Sequence, residues 1–170
     1  MHQLRAHDNY KSSSGVNEFD TGMTTTQTET TALPIPWPEG IKTTTHEGGC
    51  HCKAIRYKFE YPEMYSLPAL SCNCSICQDR GCINVYTLES MFTFTNGSAD
   101  DLTTYEFGGN SIKHRFCRVC GSNIGPAVPS RGFVVVNVRT VDGIDLEKLQ
   151  VVKADLKNKR FDENGRIVPE

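Results

Sequence analysis

The placement of cysteine constrains this chain more than any other feature. Its 170 residues hold eight, and seven of them fall in three tight groups. Cys50 and Cys52 form C-x-C, Cys72, Cys74 and Cys77 form C-x-C-x-x-C, and Cys117 and Cys120 form C-x-x-C. Grouped thiols are a disulfide framework, metal ligands or reactive groups, and the redox compartment decides between them. The opening residues, MHQLRAHDNYKSSSG, lack the apolar stretch of ~7–15 residues that a secretory signal needs. Asp8, Glu18 and Asp20 are foreign to a transit peptide. No apolar run approaches the ~18 residues of a membrane-spanning helix. These features point to a cytoplasmic protein without a membrane partner, in which clustered thiols stay reduced and bind metal.

Spacing suggests what each group does. On an extended strand, residues i and i+2 face one side about 6.7 Å apart at Cα. Cys50 and Cys52 can then lean onto one zinc at ~2.3 Å, with His51 pointing away as a surface or packing side chain. Gly121, directly after Cys120, accepts positive φ and lets the chain curl its N–H groups toward the sulfurs. A C-x-x-C alone also suits a redox pair, but that motif normally sits in a βαβ setting, which this pattern lacks. Two pairs about 65 residues apart, each at a strand end, read as one closed structural zinc site made by Cys50, Cys52, Cys117 and Cys120.

Cys72, Cys74 and Cys77 come from one short loop without an evident fourth partner, the pattern of a catalytic zinc with an open position. A second structural zinc is the plainer alternative. Cys82 has two roles open to it: a small buried residue entering CINVYTL, or a fourth ligand that closes the site. Three thiolates around a dication leave one negative charge. That charge blunts Lewis acidity and disfavours hydrolysis by a bound water, whereas a further soft thiolate suits the position well. Cys77 also lies near a helix start, where the dipole favours thiolate. The residues thus point to thiol chemistry, with a small-molecule thiol held for reaction with an electrophile.

Residues 1–40 have a different composition, with the run TGMTTTQTETTA, prolines at 34, 36 and 38, and five acids against two bases. They read as a disordered or loosely docked extension whose Trp37 can reach the core. From Ile41 the chain alternates polar and apolar residues in IKTTTHEG, KAIRYKFEY, MFTFTNG, LTTYEFGG, SIKHRFC and GFVVVNVRTV. This predicts a small, mainly antiparallel β domain over residues 41–152, followed by a polar tail over 153–170. Helix is confined to SICQDRG, with Ser75 as N-cap and Gly81 as its end, and to LEKLQ capped by Asp145. Gly108 and Gly109 read as a hairpin turn rather than a phosphate cradle. Eighteen basic residues nearly balance twenty acidic ones, so the chain lacks the basic stripe that nucleic-acid binding needs. Lys53, Arg56, Lys58, Lys113, Arg115 and Arg118 read as solvated sheet faces, with one or two free to meet a substrate carboxylate.

In order and spacing the cysteine motifs resemble the glutathione-dependent formaldehyde-activating enzyme and centromere protein V family. The matching runs are Gly48-Gly49-Cys50-His51-Cys52 with Ala54-Ile55-Arg56-Tyr57, Cys72-Asn73-Cys74-Ser75-Ile76-Cys77, and His114-Arg115-Phe116-Cys117-Arg118-Val119-Cys120-Gly121. The resemblance implies a β-tent type fold pinned by zinc, with two zinc ions per chain. It places the structural ion on Cys50, Cys52, Cys117 and Cys120 and the catalytic one on Cys72, Cys74 and Cys77. It also implies a carbon–sulfur lyase that joins glutathione and formaldehyde into S-(hydroxymethyl)glutathione. A non-catalytic zinc scaffold binding protein or chromatin is the second function class, and a relative acting on another, secondary metabolite is a third. The oligomeric state, a homodimer included, is not written in the sequence.

Overall fold

The structure, a computed structural model, describes residues 33–107, 112–161 and 167–168. The first alternating segments form a three-stranded antiparallel sheet, in which β2 (Arg56–Pro62) lies between β1 (Thr43–Gly49) and β5 (Phe92–Asn96). Strand β2 buries Tyr57, Phe59 and Tyr61 on one face and turns Lys58 and Glu60 to the other, as period-two patterning requires.

A second, seven-stranded sheet holds β3 (Ala69–Cys72), β4 (Asn84–Leu88), β6 (Leu102–Tyr105), β7 (Lys113–Cys117), β8 (Asn123–Val128), β9 (Phe133–Asn137) and β10 (Val151–Ala154). Its strand order is β10-β3-β4-β9-β8-β7-β6. Strands β4 and β9 are buried at every position, which is why FVVVN reads as a continuous apolar run. The two sheets share one core, and Thr87 Oγ1 of β4 donates to the Glu60 carbonyl of β2 at 2.7 Å across it. A short pair, β11 (Arg160–Phe161) with β12 (Ile167–Val168), ends the described chain.

The mainly antiparallel β expectation holds, with one parallel pair, β10 on β3. Strand β8 escapes alternation because Gly125 and Pro126 interrupt it. Gly125 has φ +127°, and a Cβ there would strike the Val135 carbonyl, so only glycine lets β8 close on β9. The helical segments also differ from expectation. The one α-helix among the described residues, α1 (Ser75–Asp79), is capped by Cys74 rather than Ser75, because the Cys74 carbonyl already accepts the Gln78 N–H at 3.1 Å. Asp145 does cap its segment, accepting from Glu147 N at 3.1 Å, but the helix is one 3₁₀ turn, Leu146–Lys148. Leu149 is buried immediately after it, and the chain leaves for β10.

Both ends of the predicted domain are fastened. Leu33 and Trp37 are buried, and the Trp37 ring meets Tyr61 edge-on at 5.6 Å. Beyond residue 152, Asn73 Oδ1 accepts the N–H groups of Leu156 and Lys157 at 2.9 Å each, while Asn73 Nδ2 donates to Asp155 at 2.7 Å. The tail is thereby tied to the loop that carries Cys72 and Cys74. Residues 1–32, and the turn expected at Gly108 and Gly109, lie outside the described residues. Trp37→Ala is expected to cost about 3 kcal/mol, or roughly 10 °C in a melting curve. A chain beginning at Leu33 is expected to melt within a few degrees of the full chain, because residues 1–32 are too poor in apolar side chains to add core.

Candidate metal centres

The first cysteine group joins the two sheets. Cys50 follows β1 directly, and the chain then turns rather than extends, with Lys53 at φ +62° and its N–H bonded to the Cys50 carbonyl at 3.0 Å. The expected strand geometry for C-x-C is therefore corrected to a tight turn. The turn brings the Ile55 N–H to 3.2 Å from Cys50 Sγ, a bond that stabilises a thiolate. A similar turn follows Cys117, the last residue of β7. Gly121 has the positive φ, +72°, that a glycine at that place predicted, but its N–H goes to the Cys117 carbonyl at 2.9 Å and not to a sulfur. His51 N donates to Ser122 Oγ at 3.1 Å, which ties one turn to the other. The His51 side chain is exposed and outside the cluster.

The sulfurs of Cys50, Cys52, Cys117 and Cys120 all lie within 4.8 Å of one another. Cys50 to Cys52 is 3.5 Å and Cys52 to Cys117 is 3.7 Å. Four ligands at ~2.3 Å from a tetrahedral ion are separated by about 3.8 Å, so the group fits a metal without rearrangement. The Ser122 hydroxyl, 3.3 Å away, and the backbone draw the Cys120 thiol down to about 5. Cys50 and Cys117 are buried and belong to the hydrophobic core, so an ion here holds the β1–β2 turn against the β7–β8 turn.

The second group lies on the seven-stranded sheet and is local. Cys72 ends β3, Cys74 caps α1 and Cys77 is on that helix, and their three sulfurs also lie within 4.8 Å of one another. Cys74 N donates to Cys72 Sγ at 3.3 Å. Crowding divides the protons among them. Hydrogen bonds from Cys72 and Cys77 bring Cys74 down to about 2, while Cys72, Cys74 and Cys82 push Cys77 up. Such a set favours a cation over shared protons.

Cys82 is buried beside Cys77, but it stands outside the group of three and accepts from Asn123 Nδ2 at 3.0 Å. Its burial matches the first of its two possible roles. Three groups near the cluster went unnoticed in the sequence. Asn84 is 3% exposed, its Nδ2 lies 4.0 Å from Cys77 Sγ, and its buried Oδ1 has no partner among the described residues. It pairs in register with Asn137, itself buried and donating to the Asn123 carbonyl at 3.0 Å. Tyr86 shares the face of Asn84 on β4. The charges of the three cysteines and burial together push its hydroxyl up, burial most of all. His114 on β7 is buried under the Phe107 ring at 5.3 Å, and burial lowers its pKa against the opposing pull of Cys74. An asparagine inside the apolar run CINVYTL was the one signal available in advance.

The basic residues singled out in the sequence are mostly engaged in structure. Arg56 pairs with Asp142 and with Glu47 at 3.9 Å, Lys113 reaches Glu106 at 4.0 Å, and Arg118 donates to the carbonyls of Asp100 and Asp101. No helix among the described residues is long and apolar enough to cross a membrane.

The fold and its two sulfur groups define a β-sheet domain with a group of four and a group of three cysteines, each able to hold a metal ion. The sequence profile of the family described as glutathione-dependent formaldehyde-activating enzyme matches residues 45–155. The chain belongs to that family. It is also similar to a protein of Rhodobacter sphaeroides known from a crystal structure, with 30% identity over 62% of this chain and 99% of that one, at a TM-score of 0.54.

Proposed function

We propose that the protein is a zinc-dependent enzyme of the carbon–sulfur lyase type that takes glutathione at Cys72, Cys74 and Cys77 and joins it to formaldehyde or a related small electrophile. The observation that carries this reading is the cluster of three sulfurs within 4.8 Å, with Cys82 close by but outside it. Zinc held by the three thiolates would supply a position for a fourth soft ligand and favour the thiolate form of an entering thiol. A second zinc on Cys50, Cys52, Cys117 and Cys120 would be structural.

The reaction balances simply. The substrate sulfur bonds to the carbonyl carbon, the carbonyl π pair moves to oxygen, and the proton lost by the thiol ends on that oxygen. His114, a buried imidazole on which the charge of Cys74 acts, is the group we assign to carry the proton. Asn84 Oδ1, buried and without a partner among the described residues, suits the new hydroxyl as a hydrogen-bond acceptor.

Thiols add to formaldehyde unaided, so the test is a rate above background. Exchange spectroscopy on glutathione and formaldehyde should show acceleration by the holoprotein and none by Cys74→Ser. Equal rates with and without protein would favour the scaffold class. Asn84→Leu makes a sharper prediction. It removes an unsatisfied buried oxygen, so the melting temperature should hold or rise, while kcat/KM falls about 10–100-fold, the value of ~1–3 kcal/mol for a hydrogen bond no longer made.

A further inference from the structure

Two clefts flank the loop of the second cysteine group and share one side chain. The first, of about 520 Å³, is lined by Cys72 and Cys77 together with Ser71, Gln78, Arg139 and Lys153. The second, of about 470 Å³, is lined by Arg80, Phe116, Ser122, Asn123 and again Arg139. Among the described residues, no carboxylate lines either one. Arg80, Arg139 and Lys153 have no acidic partner within ion-pair distance among the described residues, unlike Arg56, Lys113 and Lys148. Asp155, near in the chain, is already held by Asn73.

The three cations are placed rather than scattered. Arg139 Nε donates to the Gly81 carbonyl at 2.7 Å, which fixes the guanidinium at the wall the two clefts share. The Arg80 guanidinium lies over the Phe116 ring at 4.7 Å. Lys153 stands opposite Ser71 in the β10–β3 register, one residue from Cys72. Unneutralised charge of one sign in neighbouring clefts attracts anions and favours a ligand with more than one carboxylate.

We infer that Arg139 and Lys153 bind the two terminal carboxylates of the thiol substrate, while its sulfur reaches the group of three cysteines between them. This rests on the thiol reading of that group and deepens it. A tripeptide with a carboxylate at each end and a thiol in the middle has the required order of groups. Arg139 supplies a planar fork for one carboxylate and Lys153 a point charge for the other. Arg80 extends the positive wall on the Arg139 side.

The test is calorimetry on the zinc-loaded full chain with three probes: glutathione, S-methylglutathione and 2-mercaptoethanol. S-methylglutathione keeps both carboxylates and blocks the thiol, whereas 2-mercaptoethanol keeps the thiol and has no carboxylate. Arg139→Met and Lys153→Met should each weaken both tripeptides about tenfold or more and leave 2-mercaptoethanol unchanged. Arg139→Lys should recover part of the loss. Both side chains are exposed, so melting curves of the variants should match the parent. Tripeptide affinity unchanged in both variants, or no binding of S-methylglutathione to the parent, would overturn the inference. A different result would sink the thiol reading alone: S-methylglutathione bound as tightly as glutathione, with both lost in the variants.

Discussion

Cys52→Ser and Cys117→Ser should each leave an unfolded or insoluble chain, while Cys74→Ser should stay folded. The first two remove a thiol from the group proposed to hold the structural zinc between the two sheets. A four-thiolate zinc site contributes ~10–16 kcal/mol of binding free energy at neutral pH, which is folding free energy wherever the site is absent from the unfolded chain. A domain of this size has only ~5–15 kcal/mol of net stability, so losing even part of that contribution is decisive. Cys117 is 1% exposed, and serine there also buries a hydroxyl in the core. Cys52 is exposed and excludes that explanation, because its replacement changes no core packing. Circular dichroism and melting curves on the three variants give the contrast. A Cys52→Ser protein melting within a few degrees of the parent would mean that packing alone holds the sheets together.

Chelation should strip the two sites in sequence. The group of three is local, held within one loop and one short helix, and offers a competing ligand an open side. The group of four is closed and draws on turns from both sheets. A chelator is therefore expected to remove one zinc per chain while far-ultraviolet dichroism is unchanged, and the second only as the dichroism collapses. Metal analysis of samples taken along the titration resolves the two phases. Loss of both ions in a single step with unfolding would contradict the assignment of different roles.

The cysteine groups were legible because short spacing gathers sulfurs whatever the strands do around them: C-x-C and C-x-x-C suit one ion by local geometry alone. Alternation likewise revealed β2, where Tyr57, Phe59 and Tyr61 alternate with charged residues. The missing elements share a physical cause. Strand β8 carries Gly125 and Pro126, which read as turn residues until β9 is seen pressed against it. Strands β3 and β10 are four residues each, too short for a period, and pair in parallel across a long separation in sequence. The Cys74 cap was hidden because Ser75 is the better capping side chain, whereas here the cap position follows the backbone bond to Gln78. The site's polar surroundings needed register. Asn84 faces Asn137 only once β4 and β9 are paired, and Arg139 meets Lys153 only through the folded clefts.

The central claim is that a thiol enters at Cys72, Cys74 and Cys77. Cobalt in place of zinc gives thiolate charge-transfer absorption whose intensity and position follow the number of bound sulfurs. Titrating glutathione into the cobalt protein should strengthen and shift that absorption to saturation, and Cys74→Ser should abolish the change. A spectrum unmoved at saturating glutathione would contradict the claim and leave the group as a second structural site.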